Sequence, residues 1–190
     1  MPTKLTVVLD ACVLYPAPLR DLLVELAARE IFFARWTAEI HDEWMRNLAA
    51  NRLDLDPKRL RRTREMMDLH VNDSVVTGHL SLIRSLTLPD PDDRHVLAAA
   101  IHSGVSLIVI RNLNDFPVTI LSAYAIQARH PDLFLVGLLE GAEADFCRAV
   151  ATVRHRLKNP PKSADDYLSI LEQQDLTKTV ERLRELVEFL

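Results

Sequence analysis

The chain has 190 residues, 48% of them hydrophobic, enough to bury a genuine core in one domain with a small appendage. Its two cysteines, Cys12 and Cys147, lie far apart with no C-x-x-C spacing, which argues against a disulfide framework or a structural zinc site and suits a reducing cytoplasmic compartment. The formal net charge of −4 is not that of a bulk nucleic-acid binder, although acids that hold divalent cations present a locally positive site to phosphate.

The start Met1-Pro2-Thr3-Lys4 leads directly into an apolar run without a signal-peptide pattern, and the other apolar runs are short and broken by charge, so no membrane segment is expected. Leu5 to Leu9 predicts a buried parallel strand, followed by a loop and a helix over Pro18 to Glu30 with Leu19, Leu22, Leu23, Leu26 and Ala27 inward. Ile31 to Ala34 is a brief apolar stretch. Thr37 then caps a helix carrying Ile40, Trp44 and Leu48 on one face, and Asp56-Pro57 opens another that runs to His70. Val75 and Val76 suggest a short strand, and Leu82, Ile83 and Leu86 a helical turn stopped by the prolines of Leu88-Pro-Asp-Pro-Asp-Asp93.

From Asp92 or Asp93 a helix places Val96, Leu97, Ala100 and Ile101 on one face, Gly104 ends it, and Leu107 to Ile110 reads as a strand. This alternation predicts an α/β fold, a parallel sheet wrapped by helices, because parallel strands need crossover connections. After Pro131 the strand signals stop. Ser163 to Asp166 resembles a capping box, and Leu176, Val180, Leu183 and Val187 form the stripe of a last helix. The expected division is a sheet-bearing domain over 1–139 and a helical C-terminal extension over 140–190.

The chemistry lies in acids. Asp10 follows the first strand directly, at the carboxyl end where open α/β sheets bind ligands. Taken alone it is as well explained as an acid capping the next turn. Asp90, Asp92 and Asp93 exceed what one helix cap needs, and Asp93, three residues before Val96 and four before Leu97, is the inward candidate. Glu43 lies between Ile40 and Trp44, near a buried stripe. Asn112 and Asp115 follow the Leu107 strand to the same sheet edge as Asp10. Convergent carboxylates raise one another's pKa unless cations neutralise them, and Mg²⁺ or Mn²⁺ suits such hard oxygen ligands. Two such ions about 4 Å apart can orient a water for in-line attack on a phosphodiester and stabilise the leaving oxygen, with no covalent enzyme intermediate.

Three segments, Val7-Val-Leu-Asp-Ala-Cys-Val-Leu-Tyr-Pro16, Leu88-Pro-Asp-Pro-Asp-Asp-Arg-His-Val-Leu-Ala-Ala-Ala100 and Val109-Ile-Arg-Asn-Leu-Asn-Asp-Phe-Pro117, together resemble the PIN-domain family, and more closely the VapC-type toxins of bacterial toxin–antitoxin pairs. The resemblance spans roughly Leu5 to Leu139, and the helical tail is similar to an extension found in one VapC subgroup. It implies a PIN-like fold and a metal-dependent endoribonuclease, the toxin of a type II pair, with Asp10, Glu43, Asp93 and Asp115 as catalytic and metal-binding acids. Asp90 and Asn112 are the supporting residues, and the fourth position lies between Asn112 and Asp115. RNA, tRNA among the structured targets, is the implied substrate, a cognate antitoxin the implied partner, and a homodimer one allowed assembly. Two positions depart from the family pattern. Cys12 stands where many members have Asn or Ser, and Ile110 where a Thr or Ser hydroxyl usually supports the site. The alternative function is a non-catalytic PIN-fold module that binds nucleic acid or protein.

Other features have plainer readings. Lys58, Arg59, Arg61, Arg62 and Arg64 could track an RNA backbone, but such a run is commonly a solvated helix face. The seven histidines show no metal-ligand spacing. Trp36 and Trp44, eight residues apart on an expected helix, read as core anchors, and Cys12 as buried and inert.

Overall fold

The first aliphatic run forms β1 (Thr6–Leu9) at the centre of the sheet in the computed structural model, which describes residues 4–190. Met1 to Thr3, part of the expected leaderless start, lie outside the described residues. Asp10 then caps the one-turn helix α1 (Ala11–Leu14), where only a loop was expected, and Pro16 precedes α2 (Ala17–Ala28). The chain continues through β2 (Phe33–Arg35), α3 (Ala38–Asn51), α4 (Pro57–His70), α5 (Leu80–Ile83), α6 (Arg94–Ser103) and β3 (Leu107–Val109). Thr37 and Asp56 cap α3 and α4 through their side chains, and Gly104 ends α6 at φ 65°, a left-handed conformation that glycine adopts without cost.

The sheet has the order β2-β1-β3-β4, and every pair is parallel. Val8 of β1 lies opposite both Arg35 and Ile108. Val7, Val8 and Leu9 are fully buried, as a central strand covered on both faces requires. Two segments differ from expectation. Val75 and Val76 form no strand: Val75 makes a single parallel bridge to Trp36, and the Val76 N–H donates to the Trp36 carbonyl at 2.8 Å. Between Phe116 and Pro131 lie α7 (Val118–Leu121) and the edge strand β4 (Gln127–Arg129), which carries no apolar run because it is polar and only partly covered.

The rest of the chain is helical: α8 (Pro131–Gly141), α9 (Glu143–Arg156), α10 (Ala164–Glu172) and α11 (Thr177–Arg184). Ser163 and Asp166 make the expected reciprocal capping box at the start of α10. Leu176, Val180 and Leu183 are fully buried, whereas Val187 lies beyond the end of α11 in a short 3₁₀ turn and is 41% exposed. α11 has no cap of its own. Asp132 of α8 supplies one, accepting from the Thr179 N–H and hydroxyl at 2.8 Å each and from the Lys178 N–H at 3.0 Å. The extension also grips α2, where buried Glu25 accepts from Arg29 at 2.6 Å and pairs with Arg156 at 2.7 Å. Trp36 follows β2 rather than sitting on a helix, and both tryptophans are buried anchors whose indole N–H groups donate to Asp68 and His41. Among the described residues, no helix is long and apolar enough to cross a membrane.

Candidate active site

At the carboxyl end of β1, the Asp10 backbone N–H continues the sheet by donating to Val109 at 3.1 Å. Its side chain turns back so that Oδ1 accepts from the Cys12 N–H at 2.8 Å. The capping role and the candidate site role therefore coexist, because the cap uses one carboxylate oxygen. Asp10 is 4% exposed, and this burial raises its pKa against the lowering effect of the Cys12 hydrogen bond, while nearby Glu43 raises it further.

The acids before α6 divide their work. Asp90 caps the short 3₁₀ turn at Pro91–Asp93 by accepting from the Asp92 N–H at 2.8 Å. Asp93 occupies the cap position of α6 itself, yet its side chain makes no capping bond. Its backbone is already helical, at φ −80° and ψ −8°, so it is Asp90, in extended geometry, that caps, and the Asp93 carboxyl is left for another environment. Its carboxyl is pushed up to about 7, by burial first and then by Asp10, Asp115, Asp90 and Glu43. The acids that act on it are Asp90 of its own segment and three from elsewhere in the chain, Asp10, Glu43 and Asp115.

Glu43 projects from α3, part-buried, and accepts at Oε2 from His95 Nε2 at 3.2 Å. Asp115 follows β3 and accepts at Oδ2 from Asn112 Nδ2 at 2.6 Å, so the two candidates for the fourth position are bonded to each other. Asp92 is exposed. Ile110 is buried at 2% exposure, and its N–H donates to the Arg129 carbonyl at 3.0 Å, which makes it a sheet residue with no polar atom to lend the site. Cys12 is half-buried rather than buried. Its Sγ accepts from the Arg111 N–H at 3.3 Å, and burial together with Asp10 pushes the thiol up, which keeps it protonated and unreactive.

Among the described residues, no three His, Cys, Asp or Glu side chains stand close enough together to form a finished ligand cage. The chemistry of the donor set nevertheless fits a divalent cation. It consists of hard carboxylate oxygens, crowded enough to hold a proton near neutrality, a repulsion that bound positive charge relieves. A cavity of about 480 Å³ between α2, α4 and α9, lined by Arg20, Glu25, Met66 and Arg156 among others, contains none of these acids.

Two contributors had no sequence signal. His95 reaches a residue 52 positions away, which no local motif could report. Arg111 bonds the Gln174 carbonyl and the Asp175 carboxylate, each at 2.8 Å, tying the loop after β3 to the extension.

A family model described as PIN domain matches residues 6–114. The chain belongs to the PIN-domain family. A second model, the VapC50 C-terminal domain, matches residues 131–185, so this is a VapC-type PIN protein with the C-terminal extension. The protein named "Putative ribonuclease VapC50" from Mycobacterium tuberculosis (strain ATCC 25618 / H37Rv) is 37% identical over 82 residues, a stretch covering 43% of this chain and 48% of that protein. The match therefore spans about half the length of the curated relative. No solved structure matches. The PIN match encloses Asp10, Glu43 and Asp93, and it ends one residue before Asp115.

Proposed function

We propose that this chain is an endoribonuclease dependent on Mg²⁺ or Mn²⁺ and that it serves as the cytoplasmic toxin of a type II toxin–antitoxin pair. The observation that carries this reading is the Asp93 carboxyl, which makes no capping bond and is pushed up by burial and by Asp10, Asp115, Asp90 and Glu43. PIN-family membership and a relative named as a ribonuclease support RNA as the substrate. A cognate antitoxin, tRNA among structured targets and a homodimer follow from the VapC resemblance. The nuclease body is assigned to 1–139 and the extension to 140–190, with α8 lying across that division.

In this reading Asp10, Glu43, Asp93 and Asp115 hold the cation. When bound, it would supply Lewis-acid stabilisation of the phosphate's developing charge and activation of an attacking water. The protein's part is to keep those oxygens in place. The Cys12 N–H fixes one Asp10 oxygen and leaves the other free, and Asn112 fixes one oxygen of Asp115. Asp93, pushed up to about 7, is divided between its protonated and charged forms near neutral pH, and a bound cation would favour the charged form. Lys58, Arg59 and Arg61 are exposed at the start of α4 and can meet an RNA backbone, whereas Arg64 is engaged with Asp42 and Asp68.

The purified chain should cleave a structured RNA with Mn²⁺ or Mg²⁺ and stop on addition of chelator. Asp10→Asn and Asp93→Asn should abolish cleavage while circular dichroism shows an intact fold. Ile110, apolar where a hydroxyl usually supports the site, favours a second reading as a non-catalytic binding module. RNA retained without cleavage by the wild-type chain would establish that reading instead.

A further inference from the structure

The bond between His95 and Glu43 joins two acid-bearing elements. Glu43 stands on α3, and His95 stands on α6 two residues after Asp93. A carboxylate can only accept, so His95 donates through Nε2–H, at 3.2 Å, to Oε2. This is the one hydrogen bond to the Glu43 side chain among the described residues, and it leaves Oε1 free. The His95 side chain is 14% exposed, and its Nδ1 is buried with no partner. A ring that leaves one nitrogen unpaired in the interior pays for it in stability, and the structure offers only the Glu43 contact in return.

One turn earlier on α3 a second histidine approaches a glutamate, without hydrogen-bond geometry. Glu39 faces His79, with Nε2 and Oε2 3.3 Å apart, and His79 is buried. The preceding residue is Gly78, at φ 88°, where a Cβ would lie only 3.0 Å from His102 Nε2. Histidines carried by the α5 and α6 segments thus approach both glutamates of α3. The Glu43 contact differs in that it ends on a carboxylate near Asp10 and Asp93.

We infer that His95 is a positioning residue for the cation site: its Nε2–H fixes the Glu43 carboxylate and leaves Oε1 for the cation that Asp10 and Asp93 share. The inference rests on the reading of Asp10, Glu43, Asp93 and Asp115 as cation ligands. Partners of ligating carboxylates matter because they orient the ligand, and their loss typically weakens metal binding by about 10–100-fold. Gln carries an N–H donor at the same reach as His Nε2, so it should replace His95, whereas Ala should not.

The test is Mn²⁺ binding to the full metal-free chain, measured calorimetrically without RNA, alongside thermal melting. Wild type should bind Mn²⁺, and Asp10→Asn should weaken that binding. His95→Ala should weaken it about 10–100-fold, His95→Gln should recover most of the loss, and His95→Ala should cost nothing further in a Glu43→Gln background. Wild-type affinity in folded His95→Ala overturns the positioning role while leaving the cation site standing. If His95→Ala does not fold, His95→Leu, which fills the space without a donor, decides: affinity lowered to that of Glu43→Gln supports the role, and wild-type affinity overturns it. Absence of Mn²⁺ binding by the wild type overturns the cation site itself, and this inference with it.

Discussion

Asn112 donates to the Asp115 carboxylate at 2.6 Å, which joins the two candidates for the fourth acid position into one unit. Asp115 is the member that acts on Asp93, and Asn112 is the exposed member that holds it. Asp115→Asn should therefore cost more cleavage activity than Asn112→Ala, for which the loss should be about 10-fold, as for other partners of ligating groups. Single-turnover rates at saturating Mn²⁺ would show this order, and equal losses would mean that Asn112 contacts the cation directly.

The acidic site should also destabilise the metal-free chain as pH rises. The Asp93 carboxyl is pushed up to about 7 in the folded state, well above the ordinary aspartate value, so between the two the folded chain keeps a proton that the unfolded chain has already released. Stability from this group is complete below about pH 4, falls through the interval up to about 7, and is lost above it. Asp10, also raised, acts in the same direction. Urea midpoints of metal-free protein across this range should fall with pH for the wild type and fall less for Asp93→Asn.

Asp132 should be a stability residue with no part in the chemistry. It is buried and satisfies the otherwise uncapped start of α11. Asp132→Ala leaves the Lys178 and Thr179 N–H groups short of a partner, while the Thr179 hydroxyl keeps the backbone carbonyl of residue 132, at a cost of about 2–3 kcal/mol. For a chain of this size the melting temperature should drop by roughly 5–10 °C, readable by calorimetry.

Gly78→Ala should destabilise for two separable reasons, the left-handed φ of 88° and the close approach to His102. The expected cost is about 1–2 kcal/mol. Adding His102→Ala should recover the steric part only, so urea denaturation of the double variant should leave it below the His102→Ala single variant.

The parts of the fold visible in the sequence were those written in short-range code. Thr37, Asp56, Gly104 and the Ser163–Asp166 box mark helix ends through local bonding, and the structure uses each in that way. β4 left no such mark, because Gln127 to Arg129 sits at a sheet edge and needs no apolar run. Val187 failed for the opposite reason: its spacing continued the stripe, but the helix had already ended. At the site, Asp10 and Asp93 could be singled out from strand-end and helix-start positions. What they do to each other could not, since the Asp93 shift and the His95–Glu43 bond depend on distances between remote segments.

Arg111 has its backbone in one part of the molecule and its guanidinium in another. Its N–H meets Cys12 beside Asp10, while its side chain is anchored on Gln174 and Asp175 between α10 and α11. The loop that goes on to present Asp115 is thereby pegged at both ends of one residue. A mutation that unsettles the α10–α11 turn should therefore shift the segment that carries Asp115 without altering any acid.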